Sequence, residues 1–180
     1  MLLREDLTHR LLDELYQGKL DLVLLALPYQ ANNITTVSLG QDAFKFACHR
    51  HSKLVQPPIT NYDDLPDGSI LLLEDGHCLR QHAIEACKLK NSAKINLFSL
   101  ASLHTLVQMV NLDLGVTFLP QLAIDAGILQ GTQVTVHDVP AFAACREIGL
   151  AWRLSSARSS DFLMLSKWLR SRFFSDSNQA

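Results

Sequence analysis

The sequence predicts an α/β fold built as two lobes. Apolar runs of strand length alternate with segments whose apolar residues recur at helical spacing, starting with a β-α-β order near the N-terminus. A polar break at Gly40-Gln41-Asp42 and a late alternating run from Arg146 to Arg153 then look like two crossings between a first lobe and a second.

Taken in order, Met1 to Glu5 is a short strand candidate. Asp6 or Thr8 can cap a helix whose apolar stripe is Leu11, Leu12, Leu15 and Tyr16, and Gly18 stops it. Leu20 to Leu27, ended by Pro28, reads as a buried parallel strand and Ile34 to Leu39 as another strand; the β-α-β order implies a right-handed crossover and a parallel sheet. After the hinge, Ala43 to Cys48 opens the second lobe, followed by a loop from His49 to Pro58 and a turn cluster from Tyr62 to Gly68. Ser69 to Leu73 is a buried strand and Ile95 to Phe98 a short one. Ser102 can cap a helix carrying Leu103, Leu106, Val107 and Val110. Val116 to Leu119 is a further strand, and Pro120 starts a short helix ending near Gly127. Val134 to Val139 reads as strand, Pro140 to Ala144 as loop, and Arg146 to Arg153 as the strand returning to the first lobe. Ser159 or Ser160 caps a last helix with Phe162, Leu163, Leu165, Ser166, Leu169 and Phe173.

Composition narrows the class. Of 180 residues 48% are apolar, ample for a core, and the formal charge is −2 with no block of Lys or Arg, so nothing suggests that this chain grips DNA by itself. No apolar run is long enough to span a membrane, and no secretory signal is visible. Four cysteines are too few for a disulfide scaffold, which fits a reducing cytoplasm, where a reversible disulfide is a signal rather than a staple.

Two of those cysteines lie in Leu71-Leu72-Leu73-Glu74-Asp75-Gly76-His77-Cys78-Leu79-Arg80-Gln81-His82-Ala83-Ile84-Glu85-Ala86-Cys87. The residues between them favour helix. On one regular helix Cys78 and Cys87 would face opposite ways, roughly 13–14 Å apart, whereas a disulfide needs Cα atoms about 4.4–6.8 Å apart. A bond between them would therefore require that helix to unwind. Read without further context, such a pair is more often two inert buried thiols than a switch.

Gly76-His77-Cys78-Leu79-Arg80 with a second cysteine nine positions on resembles the OxyR-type peroxide sensors among the LysR-type transcription regulators. Other segments resemble LysR-type effector domains generally: Gly18 to Leu27, Ser102 to Val110, Gly115-Val116-Thr117-Phe118-Leu119-Pro120, and Ile148-Gly149-Leu150-Ala151-Trp152-Arg153. The resemblance implies two Rossmann-like lobes in a periplasmic-binding-protein-like arrangement: residues 1–40 with 147–180 as lobe I, and 41–146 as lobe II with the redox cysteines. It also implies that Met1 falls inside the family's second strand. The family's DNA-binding winged helix-turn-helix, linker helix, first strand and first helix are then absent from this sequence, which reads as a fragment.

The same resemblance implies a chemistry. Cys78 is the peroxide-reacting thiol and Cys87 the resolving one. Thr8, His77 and Arg146 hold peroxide or activate the thiolate. The implied partners are hydrogen peroxide, cellular thiol reductants, a second or further copies of the chain in a dimer or tetramer, and DNA and RNA polymerase through the full-length protein. Neither a cofactor nor a metal is expected, since His77, Cys78 and His82 lack a visible fourth ligand. Cys48 and Cys145 read as structural. A rival reading has a small organic effector bound between the lobes by Thr8, Ser102 and Thr105, with the cysteines incidental. A thiol peroxidase is the enzymatic rival, without a fold signature to support it. Two positions depart from the family: Gln81 replaces a common acid, and Asp113 stands where glycine is common.

Overall fold

The structure, a computed structural model, describes residues 3–28, 32–56, 59, 61–75, 77–139 and 144–174. Gly76 of the cysteine motif, Met1-Leu2 of the first strand candidate and most of the loop from Pro140 to Ala144 lie outside them. The chain forms two compact units, one from Met1–Gln41 with Arg146–Ala180 and the other from Asp42–Cys145.

In the first unit, helix α1 (Thr8–Tyr16) turns Leu12 and Leu15 onto strand β1 (Val23–Leu27), where they join Val23, Leu25, Leu27 and Ala151 in one core. Burying each leucine contributes about 2 kcal/mol. The start of α1 has no side-chain cap; Asp6 instead accepts a hydrogen bond from the Leu7 N–H and pairs with Arg4. Gly18 adopts φ +75 and ends the helix, a conformation that favours glycine.

The ladder that β1 forms is not the parallel one expected from the β-α-β order. β1 pairs antiparallel with β5 (Cys145–Arg153), Val23 opposite Ala151 through Leu27 opposite Glu147. The alternation of β5 marks it as a strand but does not select its partner. Leu3 to Leu7 is irregular rather than strand, and Arg4 is held by ion pairs to Asp6 and Glu14. Trp152 is buried under helix α5 (Ser159–Phe173), its ring centroid 5.6 Å from that of Phe162 and its indole N–H donating to Ser159. Ser159 therefore serves Trp152 rather than capping α5 with its side chain. Only Phe162 and Ser166 of α5 are fully buried; Leu163, Leu165 and Phe173 are exposed.

The break expected at Gly40-Gln41-Asp42 is also absent. Ile34–His49 is one continuous sixteen-residue strand, β2, whose first half belongs to the first unit and whose second half belongs to the second. Gly40 lies within it because Phe174 packs so closely that a Cβ would meet its ring at 2.6 Å. Asp42 is buried there and accepts a hydrogen bond from the Leu122 N–H.

In the second unit, β2 is flanked by β3 (Thr117–Pro120) and β4 (Val134–Asp138), both antiparallel. Parallel pairing appears in this unit instead: Ile70 bridges Ile95 and Val116, and Leu73 bridges Leu100. Ser69 to Leu73 is thus an inner extended segment, held by hydrogen bonds such as Leu71 N–H to Val116 O at 2.8 Å and Asn96 N–H to Ile70 O at 2.7 Å. These contacts are too brief to form the full strands expected at Ser69–Leu73 and Ile95–Phe98. Helix α2 (Cys78–Ala86) leaves the C-terminal end of that segment, the end at which α/β folds place their sites. Helix α3 (Leu103–Asn111) buries Leu106, Val107 and Val110, and the short α4 (Gln121–Asp125) follows Pro120. Ser102 precedes α3 without a capping bond from its side chain.

Asp113 explains its own departure from glycine. It adopts φ +57, and its carboxylate accepts from the Ser52 hydroxyl at 2.6 Å and the Lys53 N–H at 2.9 Å. Burial works to raise its pKa, but those bonds and the neighbouring cations outweigh it and hold the carboxyl below its ordinary value. Asp tolerates the left-handed region better than most residues.

Candidate functional site

Helix α2 is bracketed by two thiols. Cys78 is its first residue, after His77 at the N-cap, and Cys87 is its C-cap. Nine steps of helical rise put the two Cα atoms about 13.5 Å apart, beyond the roughly 4.4–6.8 Å of a disulfide. Both are free thiols, as are Cys48 and Cys145.

The two ends of α2 differ. Cys78 is half-buried at a helix N-terminus, where exposed N–H groups favour negative charge. Cys87 is 1% exposed and packs with Phe46, Phe118, Ala83 and Leu89, with Tyr62 against the same cluster. Burial pushes its thiol up to about 12, so it is neutral at physiological pH. Position and ionisation therefore assign distinct capacities: the thiol at the N-terminus is the accessible one, and the other is withheld.

Arg80 and His77, which lie beside Cys78 in the sequence, have polar partners of their own. Arg80 reaches the Asp75 carboxylate at 2.8 Å and donates to the Leu73 carbonyl at 3.1 Å. His77 lies 3.7 Å from Glu74. Glu74 in turn accepts from the Ser99 hydroxyl at 2.9 Å, which ties the loop before α2 to the segment before α3. Gln81 is on the exposed side of α2, donating to Glu85 at 2.6 Å, so its departure from the family acid stays on the surface.

Of the five residues singled out from the sequence, His77, Cys78 and Cys87 come together on one element. Thr8 is the first residue of α1 and Arg146 the second residue of β5, and both belong to the first unit. Ser102 and Thr105, named for the effector-binding reading, are exposed at the start of α3. Cys48 is buried with its sulfur 3.9 Å from the Thr135 hydroxyl, and burial raises its pKa. Cys145 is half-buried, raised by burial and then by Asp42. Among the described residues no group of three or more His, Cys, Asp or Glu side chains is placed to hold a metal, and no helix is long and apolar enough to cross a membrane.

Sequence reasoning missed the aromatic walls of the Cys87 pocket. Phe46, Tyr62 and Phe118 come from β2, a 3-10 turn (Tyr62–Asp64) and β3. Their only signal was being apolar, and nothing local joins them.

The chain crosses twice between its two compact units, and this architecture has known relatives. A family model described as the LysR substrate binding domain matches residues 1–174, and the chain belongs to that family. Among solved structures it is similar to the reduced form of the regulatory domain of OxyR2 from Vibrio vulnificus. That likeness has 49% identity and a TM-score of 0.90 and covers 94% of this chain and 80% of that one. It is 33% identical over 172 residues to the DNA-binding transcriptional dual regulator OxyR of Escherichia coli K12, covering 96% of this chain and 56% of that protein. It is also 32% identical over 160 residues to the HTH-type transcriptional regulator EstR of Acinetobacter baylyi, covering 89% of this chain and 53% of that protein. The chain thus spans about half the length of the curated relatives it matches.

Proposed function

We propose that this chain is the regulatory part of a hydrogen-peroxide-sensing LysR-type transcription regulator, switched by a reversible Cys78–Cys87 disulfide. The observation that carries the reading is the asymmetry of α2, with a half-buried thiol at its start and a withheld one at its end. Likeness to OxyR and OxyR2 supports peroxide as the signal.

The chemistry closes in two steps. The Cys78 thiolate attacks one oxygen of hydrogen peroxide; the S–O bond forms, the O–O bond breaks, and the departing hydroxide takes up the thiol proton as water. The Cys87 thiolate then attacks the sulfenic sulfur, the S–S bond forms, and the hydroxyl leaves as a second water. Two thiols have lost two electrons and two protons, and one peroxide has become two waters. Because α2 separates the sulfurs, the second step requires the helix to come apart. Oxidised and reduced chains then differ in structure, which is what a switch needs. Thr8, His77 and Arg146 would hold the peroxide and steady the thiolate. Cellular thiols reverse the bond. The change is read out through pairing of regulatory domains as a dimer or tetramer, and through DNA and RNA polymerase contacts of the whole protein.

The test is intact mass with thiol mapping before and after a few equivalents of peroxide. A loss of about two daltons assigned to Cys78–Cys87, absent in Cys78→Ser, is expected. Folded protein whose two thiols stay free under peroxide would sink the reading, and a thermal-shift screen with small carboxylates would then test the rival effector-binding role.

A further inference from the structure

The pocket that withholds Cys87 contains a side chain that no step above uses. Tyr62 opens the 3-10 turn, and its ring meets Phe118 edge-on with centroids 5.0 Å apart and stacks on Phe46 at 6.1 Å. Phe46 and Phe118 close the triangle at 5.7 Å. The whole group packs in one cluster with Cys87, Ala83 and Leu89. Within this apolar surround the Tyr62 hydroxyl is buried with no hydrogen-bond partner among the described residues. Nδ1 of His82, which lies on α2 itself, is likewise buried with no partner among the described residues. Both unpaired atoms therefore belong to the packing that must come apart for Cys87 to reach Cys78. A buried hydroxyl that has left water without a replacement partner raises the free energy of the state that buries it. Burial, and then the adjacent Cys87 sulfur, push the phenol up, so it stays a neutral dipole.

We infer that Tyr62 is a positioning residue for the resolving thiol. Its ring closes the pocket over Cys87, and its unpaired hydroxyl keeps the reduced packing of α2 metastable, so that releasing Cys87 relieves a penalty held at Tyr62. The inference rests on the disulfide reading above. Tyr62 takes no part in bond making. Once released, Cys87 gives its proton to water, its thiolate attacks the Cys78 sulfenic sulfur, and the hydroxyl leaves as water.

Tyr62→Phe keeps the three rings and removes the hydroxyl. In that variant the first step, read as trapping of the Cys78 sulfenic acid by dimedone in a Cys87→Ser background, keeps its wild-type rate. Disulfide closure slows about tenfold, the lower end of what an unpaired buried hydroxyl is worth. The disulfide midpoint in a glutathione redox buffer moves about 30 mV less negative, the same tenfold for a two-electron couple. His82→Leu moves that midpoint in the same direction. Wild-type closure rates and an unmoved midpoint in Tyr62→Phe overturn the inference. If the wild type forms no Cys78–Cys87 bond, the functional reading fails on its own. Tyr62 is then judged by alkylation of Cys87 in reduced protein, where about tenfold slower labelling of Tyr62→Phe supports its role and equal labelling removes it.

Discussion

Raising the Cys87 thiol from an ordinary 9.0 to about 12 lowers its thiolate fraction about a thousandfold at neutral pH. Alkylation by iodoacetamide proceeds through the thiolate, so this withheld ionisation is directly measurable. The perturbation is pH, stepped upward on fully reduced protein, and the assay is residue-resolved labelling by mass spectrometry. At pH near 7, Cys87 should lag an ordinary peptide thiol by about three orders of magnitude, while half-buried Cys78 reacts well ahead of it. Cys87 labelling should go on rising about tenfold per pH unit beyond 9.0, where an ordinary thiol levels off. The same shift links to stability. Because the folded thiol holds its proton when the unfolded one has lost it, the stabilisation is whole below 9.0 and is lost as pH climbs toward about 12. The total is on the order of 4 kcal/mol. Labelling of Cys87 as fast as Cys78 at neutral pH, with a plateau near 9, would refute the claim that burial withholds this thiol.

Other consequences are checked by stability measurements. Phe118→Ala removes one of the rings around Cys87 and should cost about 3–5 kcal/mol in urea unfolding while speeding Cys87 labelling; an unchanged labelling rate would argue that the ring is not part of the cover. Gly115→Ala should destabilise by about 1–3 kcal/mol, since the new Cβ would stand 2.6 Å from Leu71 and 2.7 Å from the Ser69 carbonyl; a neutral thermal midpoint would contradict that packing. Asp113→Gly keeps the positive φ but loses the bonds to Ser52 and Lys53, so a modest loss of about 1 kcal/mol is expected. Because the Asp113 carboxyl is held below its ordinary value, its contribution is present above that value and fades as pH falls through the lowered one, so wild type and variant should converge in acid.

Local signals carried much of the fold. Leu12, Leu15 and Gly18 announced α1 and its end, and Pro120 the start of α4. The helix between the two cysteines was legible from Ala, Ile, Glu and Gln, and with it the mismatch between helix length and disulfide reach. Partner choice was not legible. The β-α-β order suggested a parallel sheet around β1, yet β1 pairs antiparallel with β5, because ladder selection depends on the whole sheet. Gly40-Gln41-Asp42 carries loop-forming residues, yet Phe174 over Gly40 and the Leu122 N–H on Asp42 hold them extended. Ser102 and Ser159 had the right identity for caps, but a hydroxyl can serve other partners, as Ser159 serves Trp152. The site was half readable for the same reason: Cys78 and Cys87 share one element, whereas the rings of Phe46, Tyr62 and Phe118 meet only through tertiary packing.

The continuous strand β2 has a consequence for how the chain finds its fold. Pairing Val23 with Ala151 closes a loop of about 130 residues if everything between them is still unstructured. The second unit, however, brings its own ends together, with the Phe44 N–H bonded to the Ala144 carbonyl at 2.8 Å. Once that unit has formed, the span left to close shrinks to about 28 residues, and logarithmic loop entropy makes the closure cheaper by about 1.3 kcal/mol. The inserted unit thus acts as a clasp for the segments on either side of it, and a defect at its seam would slow assembly of a sheet edge far away in sequence.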